Sequence, residues 1–154
     1  MPHNLNIVLM EPKIPVNTGS IGRLCLATQS TLHLIEPLGF EINDRQLKRA
    51  GLDYWKFVQV QIHKNLETFF KSIPDESPKV FFSTKAQASY FEHQFEAGSY
   101  LFFGSETEGI SEKLRNTWAH SLYRIPQYDD RVRSLNLANA VSIVVYEAIR
   151  QLGP

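Results

Sequence analysis

Three polar segments that follow apolar runs hold the residue types that could do chemistry in this 154-residue chain. In the first, residues 11–23, two prolines precede Asn17, Thr18 and Gly19, and Arg23 follows one helical turn later. Polar groups at the start of a helix bind anions or hydroxyls readily, and Arg23 could project toward whatever occupies this loop. An ordinary capped turn with a surface arginine explains the same residues equally well.

The second segment, residues 104–110 (GSETEGI), follows the apolar run SYLFF. Glycines at both ends allow the backbone to turn sharply at the carboxyl end of a strand, where α/β proteins place ligands. Glu106 is the candidate functional side chain here. The simpler interpretation of these residues is a structural turn that leads into a helix capped near Ser111.

The third segment, residues 125–140, is a polar loop between a short strand and the most apolar helical stretch of the chain. Ser134 and Asn136 lie where that helix should begin, so either residue could be a plain N-cap. The same position also favours a role in binding. Both roles are compatible with one another.

The elements that must position these segments alternate along the chain. Apolar runs bounded by turn residues predict strands at 5–10, 31–35, 57–62, 79–84, 99–103 and 122–125. Helical patterns predict helices that begin near Asn17 or Ser20, at 65–71, after Ser111 and at 136–152. This alternation predicts one α/β domain over residues 1–154, with a mostly parallel sheet and helices on both faces.

The last predicted helix is apolar around most of its circumference. One face can pack on the sheet of its own domain, and the remaining apolar face predicts a subunit interface. A central core helix is the alternative.

Composition restricts the possible partners and cofactors. Lys plus Arg and Asp plus Glu both number 16, so any RNA contact must come from local basic clusters and not from bulk charge. Cys25, between two leucines, is expected to be a buried thiol. The five histidines are never within metal-ligand spacing of one another along the chain, which predicts no metal site. No run is apolar or long enough for a signal peptide or membrane span, so we expect a cytoplasmic protein without membrane association.

The segments NTGSIGR, LFFGSETEGI and RIPQ…VRSLNLANAV, in this order, resemble the three successive motifs of the SPOUT class of methyltransferases. Further blocks, IVLMEPKIPVNTG, LHLIEPLGF, KRAGLDYW and VYEAIRQLG, resemble the stand-alone branch of this class that modifies the wobble nucleotide of bacterial tRNA. Together the similar blocks extend over nearly the whole chain.

This resemblance implies an α/β fold whose C-terminal segment forms a deep trefoil knot, which periodicity could not have predicted. It also implies S-adenosylmethionine (AdoMet) as cofactor, with S-adenosylhomocysteine as the product. Backbone groups of three loops would hold the cofactor. At the matching positions of this chain, the implied cofactor-binding residues are Ser83, Gly104, Ile125, Ser134 and Leu135.

The implied reaction is methyl transfer to the ribose 2′-hydroxyl of nucleotide 34 of tRNA, a cytidine or modified uridine, with leucine isoacceptors expected. The motif arginine, Arg23, would act on this hydroxyl. Because a guanidinium is always protonated, we expect Arg23 to orient the ribose or a phosphate, while Glu106, Tyr146 or water accepts the proton. The resemblance also implies a homodimer in which Arg23 of one subunit lies beside the cofactor of the other.

For tRNA contacts, the sequence offers Asn17 and two basic clusters. One cluster comprises Arg45, Lys48, Arg49 and Lys56, and the other comprises Arg124, Arg131 and Arg133. Basic side chains of this kind bind phosphates without reading sequence. Three alternatives stay open: ribose methylation of another RNA such as rRNA, a non-catalytic RNA-binding SPOUT protein, and a flavodoxin-like mononucleotide binder.

Overall fold

The computed structural model describes residues 3–43, 45–50 and 52–153, without the side chains of residues 48, 52 and 53. The described strands are Asn6–Met10 (β1), Thr31–Ile35 (β2), Val60–His63 (β3), Lys79–Phe82 (β4), Tyr100–Phe103 (β5) and Leu122–Tyr123 (β6). They form one six-stranded sheet in the order β3-β2-β1-β5-β4-β6, with every neighbouring pair parallel. The α/β class with a mostly parallel sheet is therefore confirmed.

The strand predicted at 57–62 is wrong at its start, because Phe57 ends a 3-10 helix, Leu52–Phe57, and β3 begins only at Val60. Two predicted α-helices lie within a residue or two of their expected positions. They are Leu66–Ser72 (α3) and Glu112–Thr117 (α4). The Ser111 side chain caps α4 by accepting a hydrogen bond from the Leu114 N–H, as predicted.

Helix α2, Arg45–Ala50, and the 52–57 helix were not predicted from the sequence. Each is only six residues long, which is too short to be stable alone or to leave a helical period. Both pack on the long helix Pro15–Thr28 (α1). Their helical form is therefore decided by tertiary packing.

Helix α1 begins earlier than predicted. Pro15 occupies its first turn and Ile14 is the N-cap, so neither Asn17 nor Ser20 caps the helix. Proline is pre-organised for the first helical position. The backbone N–H groups of Lys13 and Ile14 donate instead to the carboxylate of Glu106, which comes from a distant part of the chain.

The sheet is covered on both faces, as predicted. On one face, α1 and the last helix Leu137–Leu152 (α5) pack against alternate strand residues, with Ile21, Cys25 and Val144 fully or almost fully buried. On the other face, α3 and α4 cover a cluster of aromatic rings centred on Phe69. Burial raises the pKa of the Cys25 thiol to about 12, which agrees with the predicted inert, buried cysteine.

Helix α5 begins one residue after its predicted start, with Asn136 as its N-cap. Its inner side, which includes Val141 and Val145, is fully buried against the core. On its outer side, Ile143 and Tyr146 are 38% and 54% exposed. The helix thus keeps an apolar outer face that no part of the described chain covers. Within the described residues, no helix is both long and apolar enough to cross a membrane.

Candidate functional site

A cavity of about 650 Å³ opens at the carboxyl ends of β4, β5 and β6 and reaches the first turn of α5. All five residues predicted to bind a cofactor line it: Ser83, Gly104, Ile125, Ser134 and Leu135. Asn17, Glu106, Arg133 and Asn136 line it too. The structure therefore brings the three polar segments together around one space, at the edge of a parallel sheet where ligands commonly bind.

The loop after β4 is fixed by hydrogen bonds at its first residue. The Ser83 N–H donates to the Tyr123 carbonyl oxygen of β6 at 3.0 Å, and the Ser83 hydroxyl oxygen accepts from the Lys85 N–H at 3.1 Å. The cavity wall on this side is therefore made of ordered backbone.

The 104–110 segment folds back on itself as a tight turn. The Gly109 N–H donates to the Ser105 carbonyl oxygen at 2.9 Å, and Gly109 has a φ of +64° that side chains rarely tolerate. A Cβ atom on Gly104 would lie 2.1 Å from the Gly109 carbonyl carbon. Both glycines that the sequence singled out are thus required by the backbone path.

Glu106 connects this turn to the segment before α1. One carboxylate oxygen accepts a hydrogen bond from the Lys13 N–H at 2.8 Å. The other oxygen accepts from the Ile14 N–H at 2.9 Å and from the Asn17 side-chain amide at 3.2 Å. Glu106 therefore satisfies backbone donors at the start of α1 that have no partner within the helix.

Asn17 extends this network to α5. Its side-chain oxygen accepts a hydrogen bond from the Asn136 side-chain amide at 3.0 Å, while the Asn136 oxygen caps α5 by accepting from the Asn139 N–H at 3.2 Å. Asn136 is thus both an N-cap and part of the site, as the sequence allowed. Through Glu106, Asn17 and Asn136, one set of hydrogen bonds joins all three polar segments.

Two predicted catalytic residues lie outside this cavity. Arg23 does not line it and lies six positions after Asn17 on α1, a rise of about 9 Å along the helix. Arg23 is therefore not part of the cavity wall in its own chain. Tyr146 is similarly absent from the lining and lies exposed on the outer side of α5, about 9 Å along the helix from Ala140, which does line the cavity.

The predicted RNA-contacting arginines occupy different surroundings. Arg45 and Arg49 are exposed on α2, and Arg133 is exposed at the cavity. Arg131 is instead paired with Asp129, with Nη2 and Oδ2 at 2.6 Å, and this contact holds the pKa of Asp129 below its usual value. The Lys48 side chain lies outside the described residues.

Several cavity residues were missed by the sequence analysis. Thr84, Lys85, Arg115 and Gln127 also line the cavity. The position of Lys85 directly after a buried strand was a usable signal, since loops at the carboxyl ends of strands carry ligand contacts. Arg115 had no such signal, because α4 brings it to the cavity from outside the three segments.

The structure also brings together two histidines that are far apart in sequence. His33 Nδ1 and His63 Nε2 are 3.0 Å apart on neighbouring strands, and His33 Nε2 lies 2.9 Å from the Asn6 side-chain oxygen. Burial, and secondarily His63, lower the pKa of His33 to about 4. Among residues 3–43, 45–50 and 52–153, no group of three or more potential ligands has the arrangement of a metal site.

The three segments that resemble the motifs of SPOUT methyltransferases all line this cavity. The sequence model of the SpoU rRNA Methylase family matches residues 4–146, and the chain belongs to this enzyme family. The tRNA (cytidine(34)-2′-O)-methyltransferase of Escherichia coli (strain K12) is 47% identical over 152 residues, which are 97% of this chain and 94% of that protein. The enzyme of the same name from Burkholderia cenocepacia (strain HI2424) is 42% identical over 150 residues, 96% of each chain.

Solved structures share the fold. A structure whose subject is the 2-OH methylation of C/U34 on tRNA superposes with a TM-score of 0.94 at 42% identity, over 99% of this chain and 98% of that chain. The SpoU methyltransferase AviRb from Streptomyces viridochromogenes, solved with AdoMet, has a TM-score of 0.85 at 23% identity, over 99% of this chain and 59% of its own. The predicted SPOUT fold class is confirmed by this likeness, and the C-terminal trefoil knot is characteristic of that class.

Proposed function

We propose that this protein transfers a methyl group from AdoMet to the ribose 2′-hydroxyl of nucleotide 34 in tRNA. The observation that carries the proposal is the Glu106–Asn17–Asn136 network, which joins the three family segments around one cavity. Two relatives that are 42% and 47% identical over nearly their whole length are named tRNA (cytidine(34)-2′-O)-methyltransferase. The segments that build the cavity lie within this aligned region.

The cavity fits AdoMet in size and in the character of its walls. A volume of about 650 Å³ is in the range of sites that take a small-molecule ligand. At Gly104 the place of a side chain is taken by the backbone of Gly109 and Ile110, so this part of the cavity wall is main chain. We assign Ser83, Gly104, Ile125, Ser134 and Leu135 to hold the cofactor.

When bound, AdoMet supplies an activated methyl group on a positively charged sulfur. Transfer of this methyl group would form an oxygen–carbon bond to the ribose and release the sulfur as a neutral thioether, so the residues around the cavity would mainly have to align the two groups. The hydroxyl proton must leave in the same reaction. Both oxygens of Glu106 already accept hydrogen bonds from residues 13–17, so we assign Glu106 to hold the loops together and water to accept the proton.

The active unit is proposed to be a homodimer. Arg23 and Tyr146 lie outside the cavity of their own chain, and the outer face of α5 leaves Ile143 and Tyr146 exposed. Ile14 and Val16, at the start of α1, are 42% and 45% exposed. A second copy that covers these apolar residues would bring its Arg23 to the cavity of the first. Light scattering that found a fully active monomer would contradict this arrangement.

In the proposed complex, Arg23 orients the ribose of nucleotide 34 or its phosphate. Five N–H donors in a planar fork suit this task, and a lysine ammonium cannot reproduce their geometry. We expect Arg23→Lys to lower the methylation rate by at least about tenfold with AdoMet affinity unchanged. Near-normal turnover by Arg23→Lys would refute the role of the fork.

Mass spectrometry of nucleosides tests the activity itself. Purified protein, AdoMet and tRNA transcripts should yield one 2′-O-methyl mark at position 34, and a transcript with 2′-deoxycytidine at that position should yield none. Leucine isoacceptors are the expected substrates, and other tRNAs serve as the comparison. A ribosomal RNA fragment methylated in preference to tRNA would contradict the proposal, as would calorimetry that detects no binding of AdoMet.

A further inference from the structure

Two neighbouring residues of α1 each face an aromatic ring of the 52–57 helix. A Cβ atom built on Gly22 would lie 2.5 Å from Cζ3 and 2.8 Å from Cε3 of the Trp55 indole. Side chains do not approach one another this closely, so the indole lies where only a glycine leaves room. This contact fixes the 52–57 helix against α1 next to Arg23.

The second ring belongs to Tyr54, the residue directly before Trp55. The Arg23 guanidinium carbon lies 5.5 Å from the centroid of the Tyr54 ring, within the range of a cation–π interaction. Tyr54 is 43% exposed, and Arg23 is exposed as well. The pair therefore lies at the surface, where an RNA strand can reach it.

Arg23 makes no hydrogen bond or ion pair with the residues whose side chains the structure describes. This differs from Arg131 and Arg150, whose guanidinium groups bind Asp129 and Glu147. A carboxylate partner would occupy N–H donors of the guanidinium fork and neutralise its charge. An aromatic face restrains the guanidinium and leaves the donors at its edge free.

We propose that Tyr54 is a positioning residue for Arg23. Its ring holds the guanidinium in one orientation, so that less side-chain freedom is lost when Arg23 meets the ribose or phosphate. The contact of Gly22 with Trp55 sets the position of that ring. This inference rests on the role given to Arg23 in the proposed function.

Three variants of the 154-residue chain test the role of the ring. Tyr54→Leu removes the ring and should lower kcat about fivefold, while KM for AdoMet and the melting temperature stay unchanged. Tyr54→Phe keeps the ring and should restore most of the rate. Phe91→Leu, which removes a ring that is 63% exposed and packs against Tyr90, is the matched control and should leave kcat unchanged. Equal rates for Tyr54→Leu and Tyr54→Phe would overturn the proposal.

A second measurement separates this proposal from the proposed function. In an Arg23→Ala background, adding Tyr54→Leu should cost nothing further, because the ring acts only through the guanidinium. A fivefold loss in both backgrounds would overturn the positioning role. Full activity of Arg23→Ala itself would overturn the role of Arg23 in the proposed function and, with it, that of Tyr54.

Arginine NMR tests the contact without relying on activity. The Arg23 Nε–H proton should be shifted by the ring current in wild type and in Tyr54→Phe, and this shift should disappear in Tyr54→Leu. Gly22→Ala, which displaces the indole, should reduce the same shift, and a smaller ring in Gly22→Ala/Trp55→Phe should restore part of it. An Arg23 signal that is identical in all five proteins would overturn the proposal.

Discussion

The cavity and the exposed pair of Arg23 and Tyr54 are held in place by different kinds of contact. Around the cavity, hydrogen bonds connect residues that are far apart in sequence, such as Lys13 with Glu106 and Asn17 with Asn136. Around Arg23, the exposed guanidinium of α1 lies over the exposed Tyr54 ring of the 52–57 helix. The first arrangement gives a fixed shape suited to one small molecule, and the second leaves charged donors free for a larger partner.

The strongest test of the fixed cavity is Gly104→Ala. The new methyl group would meet backbone atoms of Gly109 at 2.1 and 2.4 Å, which cannot move aside as a flexible side chain can. We expect a loss of AdoMet affinity of about 100-fold by calorimetry, because the turn must be displaced. Gly98→Ala is the control, since its Cβ meets no atom within 4 Å and adds only the strain of a φ of +79°. Equal affinities for the two variants would show that the cavity is not rigid at Gly104.

The second test weakens the network that closes the cavity. Glu106→Gln replaces one acceptor oxygen by a donor that faces other donors, so it should lower AdoMet affinity about tenfold and stability by about 2 kcal/mol. Chemical denaturation and calorimetry measure the two effects. The control is Glu41→Gln. It replaces an exposed carboxylate that is distant from Glu106 in sequence and should change neither quantity. If Glu106→Gln lowered only the chemical rate at saturating AdoMet, Glu106 would be the proton acceptor instead.

The third test measures the free energy of unfolding as a function of pH. It reports on the buried His33 of the sheet, which lies outside both regions compared above. Because the pKa of His33 is lowered to about 4, the unfolded chain binds more protons than the folded one between pH 6.5 and 4, and stability falls as the pH falls through this window. The expected loss between pH 7 and pH 5 is about 2 kcal/mol, measured by urea denaturation.

The matched variants for this series are His33→Asn and His120→Asn. The first should flatten the pH dependence, because the buried imidazole is gone, and the second should keep it, because His120 is exposed. A profile that is equally steep in both variants would assign the pH dependence to other groups.

The smallest expected effect compares two arginines near the cavity. Arg133 lines the cavity, and its replacement by alanine should weaken tRNA binding about fivefold at low salt and reduce the salt dependence. Arg131 is already paired with Asp129, so Arg131→Ala should weaken binding less than about twofold. Filter binding at several salt concentrations measures both. A larger loss for Arg131→Ala than for Arg133→Ala would show that Arg131, and not Arg133, is the arginine that binds tRNA.

Much of the fold could be predicted because the signals were local. Apolar runs located the six strands of the described residues to within a few positions, and the Ser111 and Asn136 caps were visible as polar residues before apolar periods. The start of α1 was misplaced for a related reason. The donors before this helix are capped by Glu106, and no local pattern indicates a cap that comes from 93 residues away.

The residues of the cavity were predicted more completely than their roles. All five cofactor positions came from the family resemblance, and all five line one cavity. Glu106 was expected to do chemistry, and its hydrogen bonds give it a part in holding the loops together. Arg23 was expected to act on the ribose hydroxyl beside the cofactor of the other subunit, and only the path of α1 places it beside Tyr54 of its own chain.

The sequence by itself determined the alternation of the strands with α1, α3, α4 and α5, the apolar outer face of α5 and the family, since these depend on residue types at fixed spacing. Tertiary structure alone decided which distant groups meet: Glu106 with the start of α1, Trp55 with Gly22, and His33 with His63. The reason is physical. Helical and strand periods are repeated many times along the chain, whereas a single long-range hydrogen bond or ring contact leaves no repeating pattern in the sequence.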